Sequence, residues 1–160
     1  GGRASASGLD PIIEVLRNGG LVGIFPEGTR SPDGRMYRGH TGVARMALAT
    51  GAPVIPVGMI NTQSRRGPLG LPLSRDARIV VGEPLDYSAG RNRQNDQAVL
   101  RWVTNDIMAH IQQLSGQEYV DVYASRVKYG NLRGADLDSY VKRSPLADLQ
   151  TPSPVADKGA

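Results

Sequence analysis

The stretch Leu21-Val22-Gly23-Ile24-Phe25-Pro26-Glu27-Gly28-Thr29-Arg30-Ser31 decides how the rest of the chain is read. Its first five residues form an apolar run of the length of a short buried strand. The next six place a proline, an acid, a glycine, two hydroxyls and an arginine at that strand's end. Such a polar loop, aimed by a rigid element behind it, is a favoured place for binding groups. Arg30 offers a planar, permanently charged fork that matches a phosphate monoester. Gly28 lets the backbone approach a ligand closely, and Thr29 and Ser31 add hydroxyls. Glu27 has two readings: it accepts from a substrate hydroxyl, or it pairs with Arg30 and closes the turn.

Working outward, residues 1–8 read as a loop and residues 9–18 as a helix. Asp10 suits its N-cap and Pro11 its first helical position, while Asn18-Gly19-Gly20 ends it. Downstream, Pro32-Asp33-Gly34 is a turn signal, residues 35–40 are basic and polar, and residues 41–50 read as a largely apolar helix. Val54-Ile55-Pro56-Val57-Gly58-Met59-Ile60 is a second β-branched run, interrupted at Pro56, which has no ladder donor. Strand, helix and strand in that order imply a βαβ crossover with parallel pairing. The expected fold class is therefore α/β, a parallel-rich sheet with βαβ crossovers flanked by helices.

Residues 61–76 read as a long loop carrying Arg65, Arg66 and Arg75, and residues 78–84 as a third strand. In residues 94–113, Val99, Val103, Ile107 and Ile111 recur every fourth position, the stripe of a core-facing helix. Residues 117–128 read as a further helix. From about Asn131 the periodicity decays, so one domain over 1–130 and a poorly ordered tail over 131–160 are expected.

The composition narrows the chemistry. The 160 residues carry a net charge of +4 and no cysteine, which excludes disulfides, thiolate nucleophiles and Cys-based zinc sites. With only His40 and His110, a His/Cys metal site is not expected. No apolar stretch approaches the roughly 20 residues of a membrane span. Gly34-Arg35-Met36-Tyr37-Arg38-Gly39-His40-Thr41 has the spacing of a phosphate-binding P-loop, but His40 stands where the lysine point charge is required. Arg35 and Arg38 instead lie ahead of a helix N-terminus, so Arg30, Arg38 and that helix end could converge on one phosphate.

Phe25-Pro26-Glu27-Gly28-Thr29-Arg30-Ser31, then Arg38-Gly39, then Val54-Ile55-Pro56-Val57 resembles the glycerolipid acyltransferase family, most narrowly its 1-acylglycerol-3-phosphate branch. The two blocks match that family's third and fourth motifs in order. The resemblance implies a glycerol-3-phosphate acyltransferase-like fold and acyl transfer from a thioester to a lysophosphatidate-type hydroxyl, giving phosphatidic acid. By it Glu27, Gly28, Thr29 and Arg30 bind the glycerol phosphate, Arg38 assists, and Ile55 and Pro56 shape the acyl or acceptor pocket. The co-substrate would be a coenzyme A or acyl-carrier-protein thioester, with no other cofactor. Expected partners are the lysophospholipid acceptor, the thioester donor, a membrane surface and acyl carrier protein, but no nucleic acid, at the cytoplasmic face of the cell membrane. The family's base is the histidine of a His-x4-Asp motif. Five residues after His40 stands Arg45, and five after His110 stands Ser115, so no catalytic residue is assigned in this chain. The expectation is an N-terminally truncated piece, inactive alone. The other reading is a non-catalytic anion-binding module at a membrane surface, built on Arg30, Arg35, Arg38 and the 61–76 loop.

Overall fold

The computed structural model describes residues 6–62, 65–66, 72–73, 76–91 and 93–152. In chain order its elements are α1 (Ala6–Arg17), β1 (Met36–Tyr37), α2 (Gly42–Thr50), β2 (Val57–Ile60), β3 (Arg65–Arg66), β4 (Pro72–Leu73), β5 (Arg78–Val81), α3 (Gln97–Ser115), β6 (Tyr119–Val120), α4 (Ala124–Tyr129) and β7 (Val141–Lys142).

Helix α3 organises the core. Asp96 caps it by accepting from the Ala98 and Val99 amides at 3.0 and 3.2 Å, two of the donors that a helix start leaves free. One side of the helix, Val99, Leu100, Val103 and Ile107, packs on Val43, Ala44, Ala47 and Leu48 of α2 and on Tyr87. Another side brings Met108 against Met36 and Tyr119. Its C-terminal end lies on β2, where a Cβ at Gly58 would sit 2.7 Å from Leu114 Cβ, so only glycine fits that approach. The fourfold stripe is thus the central buried surface, as its spacing indicates.

Among the described residues the strands form three small sheets, of which those containing β1 and β2 pack on this helix. β1 runs parallel to β6, which pairs antiparallel with β7. β2 pairs antiparallel with β5, and β3 with β4. Beyond β2 the ribbon continues as a bridge between Val54 and Leu85, broken at Ile55-Pro56. There the Pro56 carbonyl still accepts from Gly82 at 2.9 Å, while its nitrogen has nothing to donate.

Several expectations need correcting. Residues 21–25 are not a strand: they pair with nothing among the described residues, and Leu21 is 91% and Phe25 74% exposed. An apolar β-branched run becomes a strand only when another backbone supplies its ladder. Without it the expected crossover from residues 21–25 through α2 to residues 54–60 does not form, and parallel pairing among the described residues is confined to β1 and β6. The class is α/β with a mixed sheet. Asp10 and Pro11 lie inside α1 rather than opening it, because buried Leu9 extends the packed face towards Ala6. Pro11, inside the helix, both gives up its backbone donor and crowds the preceding turn. Residues 117–128 divide into β6, a turn and α4, since Tyr119 and Val120 are claimed by strand neighbours on both sides. Past residue 130, Leu132 and Leu137 are buried with Tyr37 and Val120, and β7 completes a sheet. The packed body therefore runs beyond the expected boundary at 130. Residues 153–160 of the expected tail lie outside the described residues, as do the side chains of Arg65, Arg66 and Arg75.

Candidate functional site

The loop over residues 26–31 turns on Gly28, whose φ of +71° is one that side chains disfavour. Its amide donates to the Phe25 carbonyl at 3.0 Å, and the Pro26 carbonyl accepts from His40 N–H at 2.8 Å. From beneath, a carboxylate oxygen of Glu27 accepts the Tyr37 amide of β1 at 2.8 Å. Lys128 of α4 donates to Thr29 Oγ1 at 3.0 Å and to the Arg30 carbonyl at 3.2 Å. Ser31 Oγ accepts from the Gly34 amide at 2.8 Å and closes the following turn. The loop is thus clasped by β1, by the chain entering α2, and by α4.

A column of rings supports it. The His40 ring stacks on Tyr123, with centroids 4.5 Å apart and planes 11° from parallel. On the loop side, a Cβ at Gly28 would come within 3.0 Å of His40 Cδ2. Tyr123 Oη accepts from Arg101 at 3.1 Å, and Arg101 also donates to the Gly39 carbonyl at 2.9 Å. The Arg38 guanidinium lies 5.6 Å from the Tyr123 ring centre and 3.8 Å from Asp121. Helix α3 therefore braces the ring stack on which the loop rests.

Burial sets the charges here. Loss of solvent raises the Glu27 carboxyl to about 7; the Tyr37 amide works against that rise and the nearby Asp33 charge adds to it. Burial also raises Asp33, but hydrogen bonds from Arg35 and Tyr37 outweigh it and hold that carboxyl below its ordinary range. Tyr37 is pushed up to about 12 by burial and by its bond to Asp33. His40 is lowered, first by burial and then by the Arg101 charge, so its ring is neutral at pH 7.

The site residues named from sequence divide accordingly. Glu27, Gly28, Thr29 and Arg30 come together in one loop. Of the two readings of Glu27, the pair with Arg30 is not formed; the carboxyl grips the β1 backbone instead. Arg30 is exposed, and its guanidinium meets no acceptor among the described residues. Arg38 is near, but it faces Asp121 and Tyr123 and lines a separate cavity of about 70 Å³ with Arg101 and Lys142. Ile55 and Pro56 lie at the break in the β2–β5 ribbon, Ile55 48% exposed and Pro56 buried, with no described contact to the loop. Arg35, a cation of the membrane-module reading, is neutralised by Asp33 at 2.7 Å and Glu118 at 3.5 Å. Sequence reading missed Lys128, Tyr123 and Arg101. Tyr123 fell inside the stretch over 117–128 that read as a helix, and the other two carried no local signal. Among the described residues no acidic or histidine cluster could hold a metal, and no helix is long and apolar enough to cross a membrane.

The acyltransferase family model matches residues 2–60, which contain α1, the loop, β1, α2 and β2. The chain is 33% identical over 85 residues to a chloroplastic 1-acyl-sn-glycerol-3-phosphate acyltransferase of Brassica napus, covering 52% of this chain and 25% of the relative. A 1-acyl-sn-glycerol-3-phosphate acyltransferase of Borreliella burgdorferi is 40% identical over 62 residues, 39% of this chain and 25% of the relative. A chloroplastic relative from Arabidopsis thaliana with the same enzyme name is 32% identical over 88 residues, 54% of this chain and 25% of its own. The matched part of this chain spans about a quarter of the length of each of these relatives. No solved structure matches the chain.

Proposed function

We propose, on the premise that residues 2–60 are an acyltransferase-family segment, that this chain supplies the acceptor-phosphate clamp of a 1-acylglycerol-3-phosphate acyltransferase. In that reaction the acceptor's free hydroxyl loses its proton, its oxygen attacks the thioester carbonyl, and the thiol leaves, giving phosphatidic acid. The observation that carries the reading is the exposed Arg30 guanidinium, free of any acceptor among the described residues, on a loop held from three sides. A cation fixed at its backbone and unpaired at its tip is preorganised for an incoming anion. Gly28 and Thr29 complete the loop's ligand-facing edge, and Glu27 sets its height above β1 through the Tyr37 amide.

The base is assigned to no residue of this chain. His40 is occupied between Gly28 and Tyr123. Among the described residues the polar partner of His110 is Asp106 of its own helix, its Nδ1 2.8 Å from that residue's carbonyl. The 160 residues alone should therefore bind the acceptor head and transfer no acyl group. In the same reading the donor is a coenzyme A or carrier-protein thioester, Ile55 and Pro56 border the lipid side, and the enzyme works at the cytoplasmic face of the cell membrane.

The test is acyl transfer from acyl-coenzyme A or acyl-carrier protein to lysophosphatidate by the complete polypeptide containing these residues. Arg30→Ala should raise the acceptor KM by about ten- to a hundredfold, the worth of a charged hydrogen-bonded contact, with the donor KM unmoved. No transfer to lysophosphatidate by the unaltered protein would overturn the function, and an unchanged acceptor KM would remove Arg30 from the clamp. The membrane-module reading is weakened because Arg35 and Arg38 are already engaged by Asp33, Glu118 and Asp121.

A further inference from the structure

The family match ends at residue 60, yet one of the loop's cations comes from far beyond it. Lys128, the penultimate residue of α4, lies 99 residues from Thr29 in sequence and donates to it across 3.0 Å. It also donates to the Arg30 carbonyl at 3.2 Å. We propose that Lys128 is the second cation of the acceptor-phosphate site, completing with Arg30 a clamp selective for a phosphate monoester. The proposal rests on the acceptor-binding reading of the loop and adds to it a residue and a specificity.

Three features of Lys128 carry it. An ammonium has three donors, and the two loop acceptors use two, leaving one to give. No carboxylate pairs with Lys128 among the described residues, whereas Arg35 and Arg38 each have acidic partners. Its side chain is also part-buried and anchored, with Nζ 5.3 Å from the Tyr129 ring centre, so its charge is held in place and less screened than a free surface lysine. The ammonium therefore sits at the backbone of the very residue whose guanidinium reaches outward.

The chemistry of the ligand matches two cations. A phosphate monoester carries a charge near −2 at neutral pH and three terminal oxygens. The planar Arg30 fork serves two of those oxygens. A third oxygen and the second charge remain for a point cation such as Lys128. A phosphodiester head, with one negative charge and two free oxygens, needs only the fork. Lys128 would thus separate lysophosphatidate-type acceptors from lysolipids with substituted head groups.

Binding to the 160-residue chain tests this, with sn-glycerol 3-phosphate as the monoester probe, glycerophosphocholine as the diester and inorganic phosphate as the bare anion. Lys128→Met should weaken sn-glycerol 3-phosphate by about tenfold or more and glycerophosphocholine by less than about threefold. Lys128→Arg, which keeps the charge, should stay within about threefold of the unaltered chain. In the unaltered chain the Lys128 side-chain NMR signals should shift on adding sn-glycerol 3-phosphate, a readout that needs no variant to fold. Equal losses for monoester and diester would reduce Lys128 to a prop for the loop and overturn the proposal. So would an unshifted Lys128 signal, or a chain that does not bind sn-glycerol 3-phosphate. Preference for bare inorganic phosphate over the glycerol ester would overturn the acceptor assignment. If the complete polypeptide transfers no acyl group while this binding pattern holds, the proposed reaction fails and the two-cation site stands.

Discussion

Replacing Glu27 with glutamine should change how stability depends on pH more than stability itself. The carboxyl ordinarily titrates near 4.5 and in the fold is raised to about 7, chiefly by burial. A group raised this way favours the folded state while protonated, so its contribution is greatest below about 4.5 and is lost as pH climbs through about 7. Each tenfold gain in proton affinity is worth about 1.4 kcal/mol, so the change is at most about 3 kcal/mol, and partial solvent access brings it to about 1–3 kcal/mol. Glutamine keeps an oxygen to accept the Tyr37 amide but does not titrate. Urea unfolding at pH 5, 6, 7 and 8 should show Glu27→Gln gaining about 1–3 kcal/mol on the unaltered chain across that range. His40, depressed by burial and by Arg101, titrates in the opposite sense but is common to both proteins and cancels in the difference. Asp33 stays ionised throughout the window, because its bonds from Arg35 and Tyr37 hold it low. Glu27→Ala supplies the contrast: it too lacks the titrating group, so its pH curve should parallel that of Glu27→Gln, but it strips the buried Tyr37 amide of its acceptor and should lie about 1–3 kcal/mol below it. Two parallel pH curves for the unaltered chain and Glu27→Gln would refute burial as the controlling influence on this carboxyl.

Two further substitutions probe the supports of the site. Gly28→Ala places a Cβ at positive φ and 3.0 Å from His40 Cδ2. It should cost about 1–2 kcal/mol and shift the His40 and Tyr123 ring signals in an NMR spectrum; unmoved ring signals would separate the loop from the stack. Asp96→Ala removes the α3 cap and should lower stability by about 1 kcal/mol, or about 2–4 °C in Tm for a chain of this size. Unchanged binding of sn-glycerol 3-phosphate by that variant is expected too, since Asp96 touches nothing in the loop.

The helices were legible where periodicity and local chemistry agreed. The fourfold stripe of α3 requires only neighbours one turn apart, and α2 ends at Gly51, in the left-handed conformation expected of a helix stop. What failed was non-local. Residues 21–25 and 119–120 are both short, apolar and β-branched or aromatic, yet only the second pair forms a strand. The difference is the presence of β1 and β7 on either side of Tyr119-Val120, and nothing in five or two residues encodes a partner. Pro56 shows the reverse, because the missing donor is a property of the residue itself and the ribbon breaks where it stands.

The same distinction runs through the site. Glycine, hydroxyl, acid and arginine spell a binding loop in six consecutive residues, and the structure keeps four of them together. Their orientation is set elsewhere. Tyr37 holds Glu27 from 10 residues away, Lys128 holds Thr29 from 99, and Arg101 braces Tyr123, on which the His40 ring beneath Gly28 is stacked. A loop fastened by short-range bonds alone could breathe with its own turn. One fastened to β1 and α4 moves only if those elements move, and both are tied to the buried cluster of Tyr37, Val120, Val122 and Ala124. The fastening of this loop therefore draws on both halves of the chain, Tyr37 from the first and Lys128 and Arg101 from the second, although the residues that mark the loop in the sequence all lie in the first.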